Sequence, residues 1–220
     1  MPSRSPALIF DIDGTLLDTE DFIISAFRQV VQNNSLAIKS TEYFRSLIGL
    51  HLADIYQKLD PGASPKALEA LCKEHVAFQT QNIGLTKTYP HVRETLALLH
   101  SRGVPMGIFT SRRSASVVPT LTHGGIDTFF TAIIAGDHTQ LGKPHPEGVQ
   151  KALQVLGAHP HHAFMVGDTD LDILAGKNAT TKTIAVSWGL RGKEVYSYGA
   201  DFVIDSMKDI IPIVLGEKLS

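Results

Sequence analysis

The chain has 220 residues, 43% of them hydrophobic and 19% charged, with 20 basic and 22 acidic side chains and a formal net charge of -2. That balance belongs to a chain that folds by itself, and the length holds a core domain of roughly 150 residues with a smaller attachment. The basic residues are scattered and form no stripe able to track a nucleic-acid backbone, no apolar run approaches the roughly 20 residues that cross a bilayer, and the single cysteine, Cys72, has no partner for an internal disulfide.

Neither nucleic acid nor membrane is an expected partner, the cytosol is the expected compartment, and a monomer or homodimer fits equally. Met1-Pro2-Ser3-Arg4-Ser5-Pro6 leads into only four apolar residues, Ala7 to Phe10, which is a strand and not a signal peptide. The run stops abruptly at Asp11-Ile12-Asp13-Gly14-Thr15, as a buried parallel strand does when it opens into a functional loop. From about Leu17 to Thr88 the pattern changes to amphipathic helices with no comparable strand between them. Breaks fall at Ile48-Gly49-Leu50 and at Asp60-Pro61-Gly62-Ala63-Ser64-Pro65, and the return is Thr88-Tyr89-Pro90. Residues 17–88 therefore read as an inserted helical unit.

Helical spacing resumes at Val92, Leu96, Leu98 and Leu99 and ends at Gly103, before a strand at Met106 to Phe109. Further strands are predicted at Ala132 to Ala135, Ala163 to Val166 and Thr183 to Val186, with a weaker one at Phe202 to Ile204, and a helix through Val149, Leu153 and Leu156 closed by Gly157. Strands alternating with helices predict right-handed crossovers and an α/β fold, a doubly wound, Rossmann-like parallel sheet built from residues 1–16 and 89–220. In such a sheet ligands collect at the carboxyl ends of the strands.

Those ends carry a particular set of groups: Asp11 and Asp13 after the first strand, Thr110 and Ser111 after the second, Asp168 and Asp172 after the fourth, with Lys143 on the segment after the third. Several carboxylates in one crevice either protonate or share a cation, and an oxygen-only set suits Mg2+, which shares its remaining positions with water and phosphate. Lys143 and the Thr110 hydroxyl are then candidates to hold phosphoryl oxygens. Asp11 and Asp13, two apart on extended chain, can divide the work: Asp11 attacks, while Asp13 protonates the leaving oxygen and later activates water.

Four motifs in order, Phe10-Asp11-Ile12-Asp13-Gly14-Thr15-Leu16, Ile108-Phe109-Thr110-Ser111, Gly142-Lys143-Pro144 and Val166-Gly167-Asp168-Thr169-Asp170-Leu171-Asp172, resemble the haloacid dehalogenase superfamily over nearly the whole chain. The resemblance implies a phosphatase with Asp11 as nucleophile, Asp13 as acid/base, Thr110, Ser111 and Lys143 on the phosphoryl group, and Mg2+ on Asp11, the Asp13 carbonyl and Asp168, with Asp172 behind them. It also implies that the insert is a helical cap that carries specificity, and Gly49 and His51, at a break inside it, are the candidates for a substrate-facing loop. Gly167-Asp168-Thr169-x-x-Asp172 looks like the phosphoglycolate phosphatase group, while the tail from Asn178 to Asp205 resembles the capped bacterial inorganic pyrophosphatases. The expected partner is a small phosphorylated substrate or pyrophosphate.

Plainer readings exist for each feature. Asp11 to Gly14 can be an ordinary turn, Lys143-Pro144 a solvated loop and Thr110-Ser111 a helix cap, and only their order promotes them together. Gly136 to Lys143 fails as a nucleotide-binding loop, with five residues between its glycines and proline after the lysine. His159, His161 and His162 beside Pro160 read as a solvated loop, not as a zinc site, and Cys72 as helix packing. A sugar phosphomutase is disfavoured by glycine in place of glutamate before Asp168, and a dehalogenase by the presence of Asp13. A receiver-like phosphoacceptor has its residues in another order, and a metabolite-binding module without turnover is a non-enzyme alternative.

Overall fold

The computed structural model describes residues 6–216, so what was read from the first five residues lies outside it. Ala7–Phe10 form β1, every residue of it buried, flanked by β4 (Met106–Phe109) on one side and β6 (Ala163–Gly167) on the other, both parallel. With β5 (Ala132–Ile134), β7 (Lys182–Val186) and β8 (Phe202–Ile204) they make one six-stranded parallel sheet of order β5-β4-β1-β6-β7-β8.

The period of two along each strand sorts side chains to two faces. Leu8, Phe10, Met106, Ile108, Val166, Ile184 and Val186 pack under α5 (Val92–Ser101), α6 (Ser114–Gly124) and α9 (Ile210–Leu215). Ala7, Ile9, Ala132, Ile134, Ala163 and Met165 meet α7 (Glu147–Leu156) and α8 (Asp170–Asn178) on the other face. Burial on both faces is why these strands read as continuous apolar runs.

Between β1 and α5 the chain builds α1 (Glu20–Asn33), α2 (Thr41–Leu47), α3 (Leu52–Leu59) and α4 (Pro65–Gln81). These helices enclose a separate apolar cluster in which Phe27 stacks on Phe44 at 5.6 Å and meets Tyr56 edge-on. Cys72 is buried in the same cluster. A two-stranded antiparallel ribbon, β2 (Leu17–Asp18) with β3 (Lys87–Thr88), ties the outgoing and returning chain together. Two-residue strands are too short to leave a periodic signal, and none was expected there. Among the described residues no helix is long and apolar enough to cross a membrane.

Candidate active site

β1 ends at Phe10, but the Asp11 N–H still donates to Val166 O at 2.9 Å, and the Thr110 N–H to Ile134 O at 3.1 Å. Asp11 and Thr110 therefore leave the ladder at neighbouring strand ends, as the parallel register requires. Lys143 arrives on the loop between β5 and α7, which is pinned where Glu147 Oε2 accepts from the N–H groups of Gln140 and Leu141. Its ammonium, buried against the Phe109 ring at 5.1 Å, lies 2.6 Å from Asp11 Oδ1 and 2.6 Å from Asp172 Oδ1.

Asp172 is aimed by the cap of α8. Its Oδ2 accepts from the Thr169 N–H at 3.1 Å and the Thr169 hydroxyl at 2.6 Å, which leaves Oδ1 for Lys143. Asp168 has no exposed surface; its Oδ2 accepts from the Leu190 N–H at 2.7 Å and its Oδ1 from Thr15 Oγ1 at 3.3 Å. Gly14, at φ +79°, and Gly189 close over this carboxylate: a Cβ on either one would stand 2.2 or 2.5 Å from Asp168 Oδ2.

Asp11, Asp168 and Asp172 each present an oxygen within 4.8 Å of the others, all buried, and Lys143 pairs with Asp11 and Asp172. The charge is not balanced, and the acidities register it. Burial, relieved only in part by Lys143 and compounded by Asp172 and Asp13, pushes Asp11 up to about 7. Burial and the charges of Asp172 and Asp11 raise Asp168 well above the carboxylate range. Burial opposes the Lys143 charge, yet Asp11 and Asp172 outweigh it and the ammonium is held more firmly than in water. Three oxygen donors short of positive charge fit a hard divalent cation.

Asp13 lines the same crevice but has its own cation. Arg112 grips it with both arms of its guanidinium, Nε to Oδ2 and Nη2 to Oδ1, each at 2.7 Å, and Thr19 Oγ1 donates to Oδ1 at 2.6 Å. Sequence reasoning missed Arg112, which had been counted among scattered basic residues; its place directly after Thr110-Ser111 was the available signal. It missed equally the closure of the site by Gly189 and Leu190.

The crevice is lined by Asp11, Asp13, Thr110, Ser111, Lys143 and Asp172, and from the helical unit by Ile48 and Gly49. Ser111 Oγ donates to Gly49 O at 2.5 Å, and the φ of +106° at Gly49 is one that side chains rarely tolerate. His51 does not share the crevice. It packs on Gly142, where an added Cβ would stand 2.3 Å from its ring, and lines a different cavity with Asp54, Pro144 and His145. Burial lowers its pKa. His159, His161 and His162 are exposed before β6, at the opposite end of the strands.

The sequence pattern of the family described as haloacid dehalogenase-like hydrolase matches residues 8–186. A pyrophosphatase named PpaX from Oceanobacillus iheyensis is 36% identical over 208 residues, spanning 94% of this chain and 95% of its own. A crystal structure of a Bacteroides fragilis haloacid dehalogenase-like hydrolase superposes with a TM-score of 0.85 at 24% identity, covering 94% of this chain and 100% of the other. One of a predicted phosphoglycolate phosphatase from Haemophilus somnus does so with a TM-score of 0.83 at 23% identity, covering 96% and 98%. With the family pattern running from β1 to β7 and a curated relative aligned over nearly both whole chains, this protein belongs to the haloacid dehalogenase-like hydrolases.

Proposed function

We propose that the protein is a magnesium-dependent phosphohydrolase that works through an aspartyl-phosphate on Asp11. The observation that carries the reading is the buried group of Asp11, Asp168, Asp172 and Lys143 at the strand ends, an arrangement with one cation too few. Asp11, Asp168 and the Asp13 carbonyl would hold Mg2+, with Asp172 behind; when bound, the ion offsets the clustered negative charge and polarises a phosphoryl oxygen.

Asp11 attacks the phosphorus, the bond to the leaving oxygen breaks, and its electron pair departs with the leaving group. Lys143, Thr110 and Ser111 hold the remaining phosphoryl oxygens. Water then attacks the acyl phosphate, Asp13 takes its proton, and the Asp11 carboxylate is regenerated. Residues 17–88 act as a cap that excludes water from the first attack and lets product leave, with Gly49 at its contact with the crevice.

Pyrophosphate is the first candidate substrate, because the relative at 36% identity is named for it and matches over nearly the full length. Small phosphomonoesters such as 2-phosphoglycolate come second, reversing the order read from the last motif; the neighbour with that name is alike in fold. The test is phosphate release with magnesium from pyrophosphate, 2-phosphoglycolate and several sugar phosphates. The expected result is the highest kcat/KM on pyrophosphate; negligible release throughout refutes the phosphohydrolase reading.

A further inference from the structure

We infer that Leu190 is a positioning residue for magnesium: seated on the helical unit, it holds its own N–H on Asp168 and so makes the affinity of the ion depend on how residues 17–88 dock. The inference rests on the magnesium-dependent reading above and adds to it how the cap is felt at a metal carboxylate.

Residues 187–191 follow β7 and touch both apolar cores of the molecule. Trp188 packs on the cluster under α5, α6 and α9, gives its indole N–H to Thr15 O at 3.1 Å and meets Tyr89 edge-on at 6.3 Å. Two residues later the half-buried Leu190 packs on the other cluster, the one enclosed by α1 to α4, and lines the crevice as well. Arg191 Nη2 reaches Ser46 O at 3.4 Å, among the last carbonyls of α2, where partners inside the helix run out. Between these anchors lies Asp168, with the Leu190 N–H on Oδ2 at 2.7 Å and Thr15 Oγ1 on Oδ1 at 3.3 Å. Both oxygens of Asp168 are thus tied to this segment, one by Leu190 directly and the other by Thr15, whose carbonyl holds Trp188.

The segment cannot be fixed from its middle. Gly189 comes so close that an added Cβ would collide with Gly14 O and stand 2.5 Å from Asp168 Oδ2, so no side chain there can anchor it. Its place is set from its two ends, by Trp188 on the sheet side and by Leu190 and Arg191 on the helical side. When the helical unit lifts, the Leu190 side chain loses its seat, and the N–H that aims Asp168 is held through Trp188 alone. A hydrogen bond onto a ligating carboxylate fixes its rotation, and loss of such a partner weakens the metal site although every ligand remains. The coupling runs both ways: if magnesium binds better to the docked form, magnesium must favour docking by the same factor. Leu190 joins the two events, with its main chain on Asp168 and its side chain in the helical cluster.

The test follows melting against magnesium concentration at pH 8, without substrate, in wild type, Leu190→Ala and Leu190→Met, which gives the affinity for the ion in each. Hydrogen exchange of α2 and of α5 is measured alongside, with and without magnesium. Leu190→Ala is expected to bind magnesium on the order of 10-fold more weakly, and Leu190→Met, which refills the apolar seat, to stay within about 3-fold of wild type. In wild type the ion is expected to slow exchange in α2 by more than in α5, which packs on the sheet, and Leu190→Ala to lose most of that excess. A Leu190→Ala that melts lower but binds magnesium as wild type does makes the side chain merely structural and overturns the inference. Wild-type exchange in α2 that magnesium leaves unchanged overturns it too, even if no variant folds. Melting of wild type that does not respond to magnesium at all refutes the metal reading and this inference with it.

Discussion

Two buried polar groups in this protein are built on opposite principles. In the helical unit, Tyr56 Oη and His75 Nδ1 lie 2.9 Å apart among Phe27 and its neighbours, and burial pushes His75 down to about 3, so that the pair is neutral and internally satisfied. At the strand ends, three buried carboxylates cluster, two of them on one lysine, and burial with mutual repulsion lifts Asp11 to about 7. Desolvation acts in both places, but only the first is self-sufficient. A fold that pays to bury like charges without neutralising them leaves a position for something that does, whereas a satisfied pair is structure.

The comparison breaks most visibly at Asp11. Asp11→Asn is expected to lower phosphate release by at least about 10^4-fold while circular dichroism and melting are retained, as for loss of a nucleophile. Retained turnover would remove the covalent mechanism and leave the carboxylates a binding role.

Removing the lysine tests the imbalance directly. Lys143→Met leaves Asp11 and Asp172 buried without their cation, and urea unfolding in chelator should show a loss of about 3–5 kcal/mol. A loss below about 1 kcal/mol would mean that the cluster is already satisfied without it.

The effect of magnesium should depend on pH, with a sign that separates the two regions. Asp11 rises from 3.8 to about 7, so in metal-free protein its contribution is complete below the ordinary carboxylate range and is lost as pH climbs through about 7. His75 works the other way: its contribution is complete above 6.5 and is lost as pH falls from there toward about 3. The melting temperature alone mixes the two; the difference made by magnesium does not, since His75 is common to both samples. That difference is expected to be several degrees larger at pH 8 than at pH 5, because protons no longer compete with the ion. Equal shifts at both values would refute the proposal that these carboxylates bind it.

The smallest effect belongs to the satisfied pair. Tyr56→Phe removes one buried hydrogen bond and should cost about 1 kcal/mol in urea unfolding without altering kcat. A change in kcat would instead give the pair a part in the reaction.

The sequence by itself determined the six strands of the sheet, to within a residue at each end, because a strand buried on both faces must be apolar throughout and cannot hide. It also determined which polar residues terminate them, and the parallel register then brings Asp11, Lys143, Asp168 and Asp172 together from as many as 161 positions apart. Only the tertiary structure decided the grip of Arg112 on Asp13, 99 positions away, the closure of Gly189 and Leu190 over Asp168, and the placing of Gly49 in the crevice with His51 outside it. Apolar burial repeats along the chain and leaves a period to read. A polar contact between distant loops is made once, by two side chains whose own neighbours in sequence carry no trace of it.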